Sequence, residues 1–215
     1  MARTYIYKLT VDRGAAPCIS NGVLSLAICK PVIRSTAQCG STILGFAANS
    51  LYQDNCLVYI ATVTKPPVDG MEYFSQPEYA GRPDCIYHWD ETFRRFRWKE
   101  TAKFHSQEDL VHDLGEFPDY RRAKVLLSEG GENFRYFGER CPIAYKKRYP
   151  LLGRLVEHLG QGHRVNLEAE LLSEVREFKD SLWPLASTFE NTPVPNLPCR
   201  DTCTHADDDF ETIDC

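Results

Sequence analysis

Four short apolar runs crowd the N-terminal part of the chain: TYIYKLTV (4–11), GVLSLAIC (22–29), STILGFA (41–47) and LVYIATV (57–63). Each is rich in β-branched or aromatic residues and too short for an ordinary core helix, so each reads as a strand. Gly14 and Pro17 break the chain after the first run. Pro31 suits a first helical turn, so PVIRSTAQ reads as a short helix that Gly40 stops. A chain that opens this way must first build a sheet. Helices come later: Ser106 caps QEDLVHDL, which stops at Gly115. YPLLGRLVEHL and LEAELLSEVREFKDSLW place apolar residues at helical spacing and close the fold as two C-terminal helices. Between these groups, CIYHW (85–89) and TFRRFRWK (92–99) read as a hairpin. AKVLLS (123–128) reads as a further strand, followed by the aromatic run FRYFG.

The expected class is therefore α+β, with a twisted or barrel-like mixed sheet and short helices. Apolar residues make up 43% and charged residues 26% of 215, enough for a real core. One domain is expected over residues 1–186. The segment 187–215 is rich in Pro, Thr, Asn and Asp, and reads as an acidic disordered tail. Its charge explains the balance of the whole. The net charge is −5, but residues 191–215 hold six acids against one base, so residues 1–190 are neutral. A neutral body argues against strong non-specific binding to nucleic acid while leaving room for a local basic face.

No apolar run approaches the roughly 20 residues that span a bilayer, so no membrane partner is expected. The N-terminus runs straight into a strand pattern, without the features of a secretory leader. The nine cysteines then read as thiols in a reducing cytoplasm. Those inside apolar runs, such as Cys29 and Cys56, read as small core residues. Cys199, Cys203, His205 and Cys215 have a poor spacing for zinc, and no metal site is assigned. Nothing in the sequence names a cofactor: it carries no P-loop, no GxGxxG after a strand, no HExxH, no nucleophile elbow and no zinc-deaminase signature.

The segments YKLTVDRGAAPC, LSLAICKPVIR, GSTILGF, LVYIATV, RPDCIY, FRYFG and GQGHRVN, in this order, resemble the second of the nucleotide modification associated domain families. The resemblance covers about residues 3–180. It implies association with modified nucleotides in the setting of phage and bacterial DNA base hypermodification, and it hands over no reaction. The short Arg-bearing helix, the Gly-led strand and the strand ending in A-x-V also resemble the layout of PUA-like domains, including the EVE branch. Those are small barrels, some of which bind a modified base in an aromatic pocket. Where such domains often carry an acid after the glycine, this chain has Ser41.

Candidate nucleotide-binding residues follow. Lys8 and Asp12 flank the end of the first strand, and Lys30 and Arg34 flank the first helix, where cations can meet phosphate. Arg82, Asp84 and Tyr87 lie in RPDCIY, where a carboxylate suits the N–H edge of a flipped base. Arg135, Tyr136 and Phe137 offer a cation among stacking rings. His163 is the candidate general acid or base, with Arg164 and Asn166 beside it in a loop that precedes a helix. TFRRFRWK would put Phe93, Arg95, Arg97 and Lys99 on one face and Arg94, Phe96 and Trp98 on the other.

The expected partner is a nucleotide or modified DNA base, with DNA itself as a further possibility. The residues are read as a nucleotide- or modified-base recognition domain associated with DNA base modification, in which Tyr136 and Phe137 stack and Arg82, Asp84, Lys30 and Arg34 anchor. The alternatives are an enzyme modifying a nucleotide or DNA base with His163 as general acid or base, and a protein-interaction module of a DNA modification or defence system.

Overall fold

A computed structural model describes residues 1–142 and 144–185. The expected tail and the Cys199–Cys203–His205–Cys215 set lie outside the described residues. The chain forms β1 (Thr4–Leu9), β2 (Cys18–Ser20), β3 (Val23–Leu26), α1 (Pro31–Thr36), β4 (Thr42–Ala47), β5 (Leu57–Thr62), β6 (Val68–Asp69) and α2 (Gly70–Ser75). It continues with β7 (Tyr87–Asp90), β8 (Arg95–Trp98), α3 (Leu110–Leu114), β9 (Lys124–Glu129), β10 (Phe134–Tyr136), α4 (Tyr145–Arg148), α5 (Pro150–His158), β11 (His163–Arg164) and α6 (Ala169–Leu182).

These elements make an α+β fold. A five-stranded sheet runs in the order β10-β5-β4-β1-β11, a four-stranded sheet in the order β2-β3-β9-β6, and β7-β8 form a hairpin. The five-stranded sheet is mixed, because β1 and β4 are parallel while its other pairs are antiparallel. The expected barrel-like closure does not occur. The large sheet ends in the short edge strands β10 and β11, and helices cover it instead of further strands.

Two apolar clusters divide the interior. The first joins the five-stranded sheet to α5 and α6 through residues such as Phe46, Leu152, Val156, Val175 and Phe178. The second surrounds β9, α2, α3 and the hairpin, with Tyr73, Phe74, Tyr87, Phe96, Leu114 and Val125 at its centre. α1 bridges the two sheets. Tyr5 on β1 donates to Thr36 Oγ1 at one end of α1, while Arg34 reaches the backbone at β9.

One row of residues crosses the five-stranded sheet. His163 pairs with Tyr7, Tyr7 with Gly45, Gly45 with Tyr59, and Tyr59 with Tyr136. Directly opposite residues share a face. Gly45 is what lets the rings on either side of it meet: a Cβ there would overlap the Tyr59 ring and Leu9. Across that gap the Tyr7 and Tyr59 hydroxyls share a hydrogen bond of 2.8 Å.

The cysteines need a correction. Cys56 and Cys141, expected as separate thiols, form a disulfide with a Cα–Cα distance of 5.4 Å. Cys56 leads into β5 and Cys141 follows β10, and these strands are neighbours, so the pairing brings the two residues together. Cys18, Cys29, Cys39 and Cys85 are thiols.

Candidate active site

The run GVLSLAIC does not stay extended to its end. β3 stops at Leu26, and Cys29 and Lys30 both take left-handed backbone conformations, with φ of 54° and 42°. Neither residue type favours that region, so such strain persists only where its surroundings fix it. The turn brings Cys29 to a half-buried position at the edge of the second apolar cluster, just ahead of α1. The expectation that Cys29 is a core residue is therefore corrected.

Beneath the thiol lie His105 and Asp113. Cys29 Sγ is 3.4 Å from His105 Nε2, and His105 Nδ1 is 2.6 Å from Asp113 Oδ2. The His105 side chain is 2% exposed and that of Asp113 0%. Two local devices hold them. Ser106 and Asp109 form a reciprocal capping box, which fixes the chain immediately after His105. Asp113 occupies the buried stripe of α3 with Leu110 and Leu114, where an apolar residue would be usual.

Asp113 is fully engaged. Its Oδ1 accepts the Cys29 backbone N–H at 2.8 Å, and its Oδ2 accepts the Tyr87 hydroxyl at 2.8 Å as well as His105. Burial alone would push this carboxyl up. The charge and hydrogen bond of His105, the Arg34 guanidinium and the Tyr87 hydroxyl outweigh it and hold Asp113 below the usual carboxylate range. An ionised Asp113 only accepts, so His105 Nδ1 carries a proton toward it. A proton held at Nδ1 leaves Nε2 as the atom that exchanges a proton with the sulfur: a neutral ring accepts from the thiol, and the charged ring, which holds Asp113 low, donates to the thiolate. A thiol, an imidazole and an orienting carboxylate in this order form the constellation that activates a sulfur nucleophile.

Arg34 ties this group to the scaffold. It is 0% exposed and donates to the carbonyls of Cys29 (2.6 Å), Asp113 (2.5 Å), Arg122 (2.8 Å) and Lys124 (2.6 Å). Expected at a phosphate, Arg34 instead clamps the backbones of Cys29 and Asp113 to those of Arg122 and Lys124 at the start of β9. Lys30 takes the outer position, its Nζ 5.2 Å from the centroid of the Tyr7 ring.

The other expected residues distribute as follows. Arg82 and Asp84 lie 3.6 Å apart in a buried cluster where Ser25 and Tyr73 both donate to Asp84. Arg82 also donates to the carbonyls of Ser20, Cys18 and Val23. Tyr87 faces Asp113. Tyr136 donates to Asp12 Oδ2 at 2.8 Å and Tyr52 does so at 3.4 Å. Burial raises the Asp12 carboxyl, and these two phenols pull it back. Phe137 is buried in the first apolar cluster. Arg135 donates to the Gly131, Phe134 and Trp183 carbonyls and lies over the Trp183 ring.

At the opposite edge, His163 sits beside Tyr5, with ring centroids 5.9 Å apart, while Arg164 and Asn166 are exposed. Lys8 donates to the Glu157 carbonyl at 3.4 Å. FRYFG and GQGHRVN thus occupy the two ends of one sheet row, about 19 Å apart at four strand spacings. The CIY end of RPDCIY packs in the second cluster and meets the site through the Tyr87 hydroxyl on Asp113.

A polar cleft of about 390 Å³ opens elsewhere, between Asn49, Gln53, Asp54, Asn55, Lys146 and Glu157. It lies around the β4–β5 connection and the α4–α5 pair, and none of the thiol-site residues lines it. Among the described residues, no group of three or more His, Cys, Asp or Glu side chains is arranged to hold a metal ion.

Cys29, His105 and Asp113 were not singled out from the sequence. The available signals were a strand-like run ending in Cys just before a Pro-led helix, and a carboxylate on an otherwise apolar helical stripe.

No curated protein and no solved structure matches the chain. One family model matches residues 1–193, which is nearly the whole chain. The chain belongs to the family described as nucleotide modification associated domain 2, which associates it with nucleotide modification.

Proposed function

We propose that this chain is an enzyme of nucleotide modification that uses Cys29 as a covalent nucleophile toward a carbonyl group carried by a nucleotide or modified base. The observation that carries this reading is the succession of contacts Cys29 Sγ–His105 Nε2 and His105 Nδ1–Asp113 Oδ2, at 3.4 Å and 2.6 Å.

The chemistry follows from the order of the groups. His105 Nε2 takes the thiol proton as Sγ attacks the carbonyl carbon of an ester or amide substituent. The carbonyl π pair moves onto oxygen. When the tetrahedral adduct collapses, the bond to the leaving alcohol or amine breaks and His105 returns the proton to that group. A thioester remains on Cys29. Water or a second amine then attacks the thioester carbonyl, giving up a proton to His105, and sulfur leaves and is reprotonated. The net change is hydrolysis or transfer of an acyl group. Asp113 stabilises the imidazolium at each step and keeps its proton arrangement fixed.

The base-recognition reading drew on Tyr136, Phe137, Arg82 and Asp84, which lie away from the thiol, and it differs from the enzyme reading in its outcome. A panel of nucleotides and nucleosides bearing acyl, aminoacyl or amide substituents on the base separates the two. The expected result is loss or transfer of the substituent by the native chain, with none in C29A. Turnover that survives in C29A contradicts the proposal. Binding without turnover across the panel favours recognition.

A further inference from the structure

We infer that Lys30 is the specificity-determining residue of the thiol site, and that it selects substrates carrying an anionic group, the phosphate of a nucleotide in preference to a free base or nucleoside. This rests on the reading of Cys29 as nucleophile and adds to it the charge of what is bound.

Three observations place Lys30 in this role. It directly follows Cys29 and shares its left-handed turn, with φ of 42° and ψ of 50°, so its backbone is held with that of the thiol. Its ammonium group lies over the Tyr7 ring, 5.2 Å from the centroid, which holds the cation near the sheet row beside the site. Among the described residues no carboxylate pairs with it, unlike Lys65, Lys124 and Lys146, which face Glu129, Asp69 and Glu157.

The ring beneath Lys30 stays neutral. Burial pushes the Tyr7 hydroxyl well up, and Tyr59, Cys29 and Asp12 push it the same way. The Arg34 charge, by contrast, is buried and already committed to four carbonyls, so it is not offered to a ligand. Lys30 is partly exposed and next to the nucleophile. A point charge on a flexible stem suits a phosphate oxygen.

The test uses two alkylating agents of similar size on the full chain: iodoacetate, which is anionic, and iodoacetamide, which is neutral. Modification of Cys29 is followed by peptide mass spectrometry. The ratio of the two rates cancels any change in how readily the thiol ionises. The iodoacetate-to-iodoacetamide ratio is expected to fall about tenfold in K30M, the effect of one nearby charge at a partly exposed site, and to be kept in K30R. Inorganic phosphate should slow iodoacetate at Cys29 in the native chain and not in K30M. Equal ratios in the native chain and K30M, with Cys29 reacting in both, would overturn the role of Lys30 and leave the thiol reading standing. Failure of Cys29 to react with either reagent would overturn both.

Discussion

The Cys29 backbone N–H donates to Asp113 Oδ1 across 2.8 Å, so the carboxylate that orients His105 also holds the turn that carries the thiol. The two residues are 84 positions apart. One buried acid thereby sets both ends of the proposed proton path, and the strained turn at Cys29 is tied to the second core instead of standing alone.

Asp113→Asn should be strongly destabilising. All three contacts to this carboxylate come from donors: the Cys29 N–H, the Tyr87 hydroxyl and His105 Nδ1–H. An amide must turn its own donor toward one of them and leaves the imidazole without its counter-charge. The expected loss is about 3–5 kcal/mol, read from urea unfolding. A variant as stable as the native chain would mean that the network has little energetic weight.

The same residue gives a pH dependence with a defined sign. The ordinary carboxyl value is 3.8, and the folded chain holds Asp113 below it. Its contribution is complete above that value and is lost as pH falls from 3.8 toward the lower folded value. Unfolding midpoints between pH 5 and pH 2.5 should fall more steeply for the native chain than for D113N. Parallel profiles would show that Asp113 does not titrate differently on folding.

Arg34→Met tests whether Arg34 clamps the scaffold or waits for a ligand. The clamp predicts a loss of about 3–5 kcal/mol, because four backbone carbonyls lose a charged donor inside the protein. R34K should recover only part of it, since an ammonium cannot span all four. Unchanged stability in R34M with weakened phosphate binding would restore the ligand role expected from the sequence.

Gly45→Ala should cost about 1–3 kcal/mol, because the added methyl meets the Tyr59 ring and Leu9 in a packed sheet. The displaced ring would also break the Tyr7–Tyr59 hydrogen bond. A smaller residue at position 59 should make the double variant less damaging than the two single changes summed. Additive losses would place the strain elsewhere.

The sequence revealed the elements better than their assembly. The strand runs at 4–11, 41–47 and 57–63, the Ser106-capped helix and the two C-terminal helices all lie where local pattern puts them. These features depend on near neighbours. Closure does not, and the expected barrel-like sheet is open because helices, not more strands, cover it. The site was illegible for the same reason. His105 is 76 residues from Cys29, and nothing local distinguishes a thiol that ends a strand from one that turns out of it. Arg34 and Tyr87 were picked out as ligand-binding residues, and both surround Asp113; what sequence could not give was the direction in which their polar atoms point. Asp113 lies on the helical stripe of Leu110 and Leu114, which the fold turns inward.

The thiols differ enough to be told apart by reaction. Burial pushes the Cys18 and Cys85 thiols up, so both should react slowly in the folded chain. Cys39 is exposed. At pH 6.5 iodoacetamide should modify Cys29 before Cys39, and Cys18 and Cys85 last. Peptide mapping separates these from Cys199, Cys203 and Cys215. Modification of Cys39 ahead of Cys29 would remove the evidence for an activated sulfur.

The most direct measurement is the rate of Cys29 alkylation in the native chain and in H105Q at pH 6.5 and pH 9.5. If His105 takes the proton from Cys29, H105Q should lose about tenfold or more at pH 6.5 and little at pH 9.5, where an ordinary thiol is already ionised. Equal rates for the two proteins at pH 6.5 would contradict the account, because the 3.4 Å contact would then be packing without proton transfer.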